Sequence, residues 1–524
     1  MRRREFCAVT GVATLGVGGL VGCSSRPTTL GPVIQTDTGK VQGTVVDGVH
    51  RFLGVPYAEP PFGLNRFVAP TTREPWDGVL AATEYGQICP QTGGLVGGDL
   101  VEGEDCLNLN IWTPDPNAGG LPVMVWVHGG GQVSGSGAEP TYDGTRFAQD
   151  GVVLITNNRR LGAEGYLFLE EDFGTGIGPG NLGILDQIEV LRWVQRNVDR
   201  FGGDPNNVTL FGESGGGAAT QAVVATPAAR GLVHRVIPQS GGHSAQRPDT
   251  ARAITATALP LLQVAPGDLD ALRALDWRRP PEIYPSLQAT SFGRPQIYIP
   301  MLSEAMPNHP VDACAAGLGN EVDYLIGSCR DEMNLFDALP GDIAETPFLA
   351  RRDALLTAAD ADLAALRRAY TQARPQLDAA EVDLAIMGDL WFRVPSIRIA
   401  DTHATANQGR AGGARTYMYL FAWESPLLGA AHAMDLLVFG NGLPLPGIGM
   451  LRDHDDIARS MRTAWVNFAT HGDPSSASFQ WPQYDQARRT ARLDDTFSVL
   501  DDPYAAQRAT LGDLLLMNWG SNGI

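Results

Sequence analysis

A chain of 524 residues has room for one large core or for about three average domains. With 44% hydrophobic and 19% charged residues it is neither disordered nor coiled-coil in composition. Its 58 acidic against 39 basic residues give a formal charge of −19, which excludes nucleic acid as a partner, because a phosphate backbone meets a repulsive average field.

The first residues read as a targeting segment. Arg2, Arg3 and Arg4 form a basic head, residues 7–22 are small and apolar, and Leu20-Val21-Gly22-Cys23 gives way to Ser24, Ser25 and Arg26. The pattern resembles a bacterial lipoprotein signal, which implies cleavage before Cys23 and a lipid on that cysteine. Arg3-Arg4 with Phe6 also resembles a twin-arginine export signal. The apolar run is short for a stable membrane span. The expected segmentation is therefore 1–22 signal peptide, 23–34 short tether and 35–524 a single folded body, exported to the periplasmic or extracellular face and held at a bacterial membrane through a lipid on Cys23.

Residues 36–52 then read as short strands separated by turns at Gly39, Gly43 and Asp47-Gly48, and a Pro-rich stretch over 55–61 interrupts them. Residues 121–127 and 152–156 are continuous apolar runs, the signature of strands in a mostly parallel sheet covered on both faces. Residues 170–179 read as a glycine-rich linker. Ile184, Ile188, Leu191, Val194 and Val198 recur at spacings of four and three, which predicts a helix over 182–197. A buried strand over 207–211 and a helix over 215–226 follow, the helix tolerating its glycines because small side chains let it lie close to a strand. Strand signals return at 323–326 and 416–421, while 249–300 and 337–405 read as helices and loops that cap the sheet. Alternating strand and helix predicts an α/β fold with right-handed crossovers.

Gly212-Glu213-Ser214-Gly215-Gly216 matches Gly-x-Ser-x-Gly between a strand and a helix, where a sharp turn lifts the central side chain clear for attack. His128-Gly129-Gly130-Gly131 follows the strand 121–127, and its approachable backbone N–H groups can converge on developing negative charge. Gly130, Gly131 and Gly215 are the expected donors. With the order serine, acid, histidine, the base is restricted to His403, His432, His454 or His471, and Asp331 and Glu332 compete as the acid after the strand at 323–326. Gly174-x-Gly176-x-Gly178 does not open from a strand into a helix, so no dinucleotide cofactor is expected. Of six cysteines, Cys7 leaves with the signal and Cys23 carries the lipid. Cys89, Cys106, Cys314 and Cys329 remain; export permits disulfides among them, with three pairings open, and their spacing does not match a metal site.

The stretches 201–217, 104–112, 181–187, 465–469 and Gly472-Asp473-Pro474 together resemble the type-B carboxylesterase and cholinesterase family, over residues from about 35 to about 515. The resemblance implies an α/β-hydrolase fold, with a large central mostly parallel sheet flanked by helices and extended cap insertions. It implies a carboxylic ester hydrolase working through an acyl-enzyme, with Ser214 as nucleophile, Glu332 as acid and His432 as base. Glu213 takes the place of the family's buried acidic neighbour, Ser240 that of the serine near the acid, and Cys89 pairs with Cys106. Cys314 and Cys329 have no family counterpart and form a possible second bridge. Met333 and Ala433 stand where the family usually has glycine, and Gln132 where it often has an aromatic residue.

Trp277, Tyr284, Phe292 and Tyr298 offer apolar surface for a neutral short- to medium-chain or aryl ester. Arg278, Arg279 and Arg294, together with Gln132, form the basis of an alternative, a large carboxylate-bearing ester; a lipase or polyester hydrolase differs only in substrate. A non-catalytic binding relative is disfavoured because the serine, acid and histidine are all retained. The expected partners are an ester substrate, water and a membrane lipid anchor, with no cofactor and no metal.

Overall fold

The computed structural model describes residues 28–92, 100–242, 245–290, 297–339, 362–410, 412–443 and 454–512. The signal segment and Cys23 lie outside the described residues. Thirteen strands form one sheet: β1 (Thr29–Gln35), β2 (Lys40–Val46), β3 (Val49–Pro56), β4 (Val79–Ala81), β5 (Asn108–Thr113), β6 (Leu121–Val127), β7 (Val153–Asn157), β8 (Gly203–Glu213), β9 (Arg235–Gln239), β10 (Asp323–Cys329), β11 (Thr416–Phe421), β12 (Arg489–Leu493) and β13 (Ser498–Asp501). The order is β1-β2-β3-β5-β7-β6-β8-β9-β10-β11-β12-β13, with β4 beside β2. From β7 to β12 all neighbours are parallel, and antiparallel pairs close both ends.

The period of two along β6 explains how the sheet is sandwiched. Val123, Val125 and Val127 face one hydrophobic layer, which includes Ile184, Ile188 and Leu191 of the helix Leu182–Asn197. Met124 and Trp126 face the other, which includes Met461, Trp465 and Phe468 of the helix Asp455–His471. Trp126 is ringed there by Tyr142, Phe211 and Phe439 at centroid separations of 5.0, 4.8 and 4.9 Å. Each such aromatic pair contributes about 1 kcal/mol beyond its buried area. Both faces being covered, the apolar runs in β6 and β7 are continuous rather than alternating.

Three expectations are corrected. Residues 29–34, read as tether, belong to β1, an edge strand with a register shift between Leu30 and Val33 that blurs any alternation. The linker at 170–179 contains a helical turn, Glu170–Phe173, and a tighter turn at Gly174–Gly176. β8 is longer than expected, Gly203–Glu213, and β10 runs to Cys329. The carboxyl ends of β6, β8, β9, β10 and β11 all lie at one edge of the sheet, where parallel α/β folds place their ligands.

Candidate active site

Ser214 stands between β8 and the helix Gly215–Val224, half-buried, at φ 55° and ψ −123°. A serine held there costs about 1–3 kcal/mol of local strain, so its surroundings must enforce it. They do so partly through a hydrogen bond from Ser214 N to Gln239 O at 2.9 Å. Close backbone approach does the rest: a Cβ on Gly216 would sit 2.0 Å from Val127 O. The helix can therefore press against the end of β6 only because residue 216 is glycine.

The same approach brings the glycine loop to the serine. Gly130 and Gly131 have φ of +92° and +60°, and a Cβ on Gly215 would meet Gly131 N at 2.8 Å. The N–H groups of Gly131 and Gly215 thus border one small space beside Ser214. Among the described residues neither Gly130 N nor Gly131 N donates to another group.

Glu332 and His432, 100 residues apart, meet with Nδ1 of the imidazole 2.5 Å from Oε2 of the carboxylate. Oε1 accepts from Ser240 Oγ at 2.7 Å and from Cys329 N at 2.7 Å. All these groups are buried, Glu332 1% and His432 4% exposed, so the carboxylate is oriented by protein donors rather than water. Phe336 and Phe392 flank the imidazole at centroid distances of 5.1 and 4.6 Å. Asp331 turns away from the site. It pairs with Arg330 and Arg374 at 2.7 Å each and accepts from Ala430 N.

His432 Nε2 lies 3.1 Å from Glu213 Oε1, within ion-pair distance but off the line of a hydrogen bond. Among the described residues Ser214 Oγ has no hydrogen bond to His432; such contacts commonly form only with substrate bound. Burial opposes a charge on His432, but the carboxylates of Glu213 and Glu332 outweigh it and push the imidazole up to about 9. Burial likewise pushes the Glu213 carboxyl up to about 8, against the pull of His432. The two shifts compete for one proton, since a protonated Glu213 lends His432 no negative charge. Among the described residues Glu213 Oε1 receives no hydrogen bond, whereas the Glu332 carboxylate accepts from Ser240 and Cys329 and contacts His432 Nδ1.

The other candidate bases lie elsewhere. His403 is buried against Thr416 Oγ1 at 2.8 Å and the Tyr324 ring, and His454 and His471 mark the two ends of one helix. Ala433, next to His432, takes φ +66°, which explains why glycine suits this position and costs alanine about 1 kcal/mol. Asp435, three residues on, was not anticipated. It is fully buried, accepts from Tyr419 OH at 2.8 Å, and is pushed up to about 6 by burial.

Cys89 and Cys106 face each other as thiols with a sulfur separation of 3.0 Å. Cys314 and Cys329 are not brought together. Both are free thiols with different neighbours: Cys314 Sγ lies 3.9 Å from Asn320 Oδ1, and Cys329 Sγ, at the end of β10, lies 4.0 Å from Ser240 Oγ. No group of three or more potential metal ligands occurs among the described residues.

Gln132 differs from expectation. It is 2% exposed with φ +67°, and its side chain is engaged by protein: Nε2 donates to Gly215 O at 2.6 Å, and Oε1 accepts from Arg159 Nη2 at 3.0 Å and Tyr166 OH at 2.8 Å. It therefore offers no free polar group to a substrate. Arg278 is paired with Asp276 and lies over the Trp277 ring, and Arg279 is paired with Glu282, both on the exposed surface. Arg294 and Phe292 lie outside the described residues. Tyr284 stacks on Tyr298 at 5.7 Å.

The carboxylesterase family model matches residues 31–510. The chain is 36% identical over 495 residues to the para-nitrobenzyl esterase of Bacillus subtilis (strain 168), covering 91% of this chain and 98% of that relative. It is also 36% identical over 485 residues to the phenmedipham hydrolase of Pseudarthrobacter oxydans, covering 86% and 93%. A solved PNB esterase superposes with a TM-score of 0.79 at 34% identity, covering 91% of this chain and 99% of that one. A carboxylesterase of Geobacillus stearothermophilus superposes with a TM-score of 0.80 at 34% identity, with the same coverage.

Proposed function

Because the chain belongs to the carboxylesterase family and is a carboxylic ester hydrolase, we propose that it works through a Ser214-His432-Glu332 triad on neutral short- to medium-chain or aryl esters. The observation that carries this reading is the 2.5 Å contact between His432 Nδ1 and Glu332 Oε2 beside the strained Ser214 apex. Glu332 fixes the imidazole with its proton on Nδ1, leaving Nε2 as the acceptor. His432 takes the Ser214 hydroxyl proton as Oγ bonds to the ester carbon. The carbonyl oxygen becomes an oxyanion held by the N–H groups of Gly130, Gly131 and Gly215. Collapse breaks the bond to the alkoxy oxygen, which leaves as alcohol with the proton from His432. Water then attacks the acyl-enzyme with His432 again as base, and the carboxylic acid departs.

The preference for neutral esters rests on two features. Phe336 and Phe392 wall the imidazole with apolar surface. Of the groups considered for gripping a carboxylate, Gln132, Arg278 and Arg279 are already engaged by protein partners, and Arg294 lies outside the described residues. An unpaired carboxylate would lose its hydration without compensation. A kinetic panel at fixed leaving group should therefore give neutral acyl chains at least about a tenfold advantage in kcat/KM over chains ending in a carboxylate. The reverse preference, weakened by salt, would overturn this substrate assignment.

The export reading is carried by Arg3-Arg4, the short apolar segment and Cys23. The proposed anchor is a lipid on Cys23; among the described residues no helix is long and apolar enough to cross a membrane. An oxidising destination would close the Cys89–Cys106 pair. The bridge would stabilise the fold by about 3 kcal/mol for a loop of 17 residues. Intact mass of membrane-extracted protein should show a chain starting at a lipid-modified Cys23, with two hydrogens regained on reduction. A soluble chain with unmodified Cys23 would refute lipidation, and four alkylatable thiols before reduction would refute the bridge.

A further inference from the structure

Gln132 connects three segments that the reaction needs in fixed relation. It follows Gly131 in the glycine loop, its Nε2 donates to Gly215 O in the first turn after Ser214, and its Oε1 takes bonds from Arg159 and Tyr166 beyond the end of β7. Its backbone carbonyl accepts from Gly162 N at 2.7 Å. Gly215 and Gly131, two of the proposed oxyanion donors, lie side by side: a Cβ on Gly215 would sit 2.8 Å from Gly131 N. The bond from Gln132 to Gly215 O therefore fixes the distance between the two halves of the oxyanion site.

Arg159 gives this connection its strength. The guanidinium is fully buried, and among the described residues no carboxylate is within ion-pair distance of it. Among the described residues its Nε and Nη1 have no hydrogen-bond partner, and its Nη2 donates to Gln132 Oε1 at 3.0 Å. A buried cation without a counter-ion is expensive to keep. Its hydrogen bond to the amide oxygen is charge-assisted and polarises the amide, which makes Nε2 a better donor to Gly215 O. Its field also reaches the glycine loop, where it adds to burial in holding the His128 imidazole well below its ordinary value.

We propose that Gln132, held by Arg159 and Tyr166, is a positioning residue that keeps the Gly131 and Gly215 N–H groups aligned on the oxyanion. Gln132 does not touch substrate and acts through those two donors. The proposal rests on Ser214 being the nucleophile with Gly130, Gly131 and Gly215 as its oxyanion site.

The test compares Gln132→Glu, Arg159→Met, Arg159→Lys and Tyr166→Phe with the parent, using a neutral aryl ester and an aryl trifluoromethyl ketone. The ketone adds to the nucleophilic serine and mimics the tetrahedral oxyanion. Gln132→Glu keeps an acceptor for Arg159 but loses the donor to Gly215 O. It should lower kcat about 30-fold with KM nearly unchanged, less than the 10²–10³ lost when an oxyanion donor is removed outright. Affinity for the ketone should fall by the same factor as kcat/KM. Arg159→Met should lower kcat about tenfold, Arg159→Lys should restore most of it, and Tyr166→Phe, the mildest change, should lower it about threefold. Titration of active serines with an organophosphate normalises every rate to folded enzyme. The proposal is overturned if normalised kcat and ketone affinity of Gln132→Glu stay within twofold of the parent, if the loss appears in KM alone, or if Tyr166→Phe alone folds and matches the parent. Ser214→Ala separates the two levels. If that variant keeps full activity the underlying reading fails, whereas if it is inactive and Gln132→Glu is unchanged only the positioning role fails.

Discussion

Ser214→Ala is expected to lower kcat for a neutral aryl ester by about 10⁶-fold while leaving the melting temperature nearly unchanged. The substitution removes the proposed nucleophile, but the turn that presents it is held by bonds that do not involve Oγ. These are the Ser214 N to Gln239 O hydrogen bond and the close packing of Gly216 against Val127 O. Alanine adopts φ 55° at much the same cost as serine, so the strain is neither relieved nor increased. The oxyanion donors and the apolar walls remain, and a residual acceleration of roughly 10³–10⁴ over water is expected from them. Steady-state rates on purified variant, with thermal unfolding measured in parallel, decide the matter. Undiminished hydrolysis by folded Ser214→Ala would remove Ser214 from the mechanism.

Glu332→Gln should cost about 10⁴-fold in kcat, and Asp331→Asn only a few-fold, although the two carboxylates are adjacent in sequence. Glu332 receives donors from His432, Ser240 and Cys329, all of which need an acceptor. A glutamine there must aim its NH₂ at one of these donors, or turn its oxygen to them and leave His432 free to take the wrong tautomer. Asp331 instead neutralises Arg330 and Arg374. Burial works to raise its carboxyl, but these arginines outweigh that and hold it below its ordinary value of 3.8. Its contribution to stability is therefore present above about 3.9, the unfolded value, and is lost as pH falls through the lower folded value. Asp331→Asn removes that contribution, about 1–2 kcal/mol, because the half-buried Arg374 loses its charged partner and Arg330 is left with Glu424 alone. Rates and unfolding free energies measured for both variants at neutral pH test the pair. A large kcat loss in Asp331→Asn with Glu332→Gln near the parent would exchange their roles.

The elements readable from sequence are those whose residues carry the signal within one stretch. The apolar run of β6 and the spacing of Ile184, Ile188, Leu191 and Val194 record the period of a strand and of a helix, and both appear in the structure. Edge elements record little. β1 exposes most of its side chains and carries Gly31 and Pro32, and the β12–β13 hairpin alternates weakly, so neither stood out. The short helix Glu170–Phe173 lies beside a glycine-rich turn that masks it.

For the site, the sequence by itself determined what depends on local backbone geometry: an elbow at Gly212-Glu213-Ser214-Gly215-Gly216 and a donor loop at Gly129-Gly130-Gly131, because glycine spacing encodes the turns and close approaches those parts require. It left four histidines and two adjacent carboxylates in competition, and only the family resemblance pointed to His432 and Glu332 among them. Only the tertiary structure decided what these groups touch: Glu332, not Asp331, contacts His432, Cys314 and Cys329 are not bonded to each other, and Gln132 is engaged by Arg159, Tyr166 and Gly215. The partners in these contacts lie from 27 to 100 residues apart along the chain. Which side chains meet over such separations is settled by how strands stack in the sheet and how loops fold back over its edge, and no local period or turn signal encodes it.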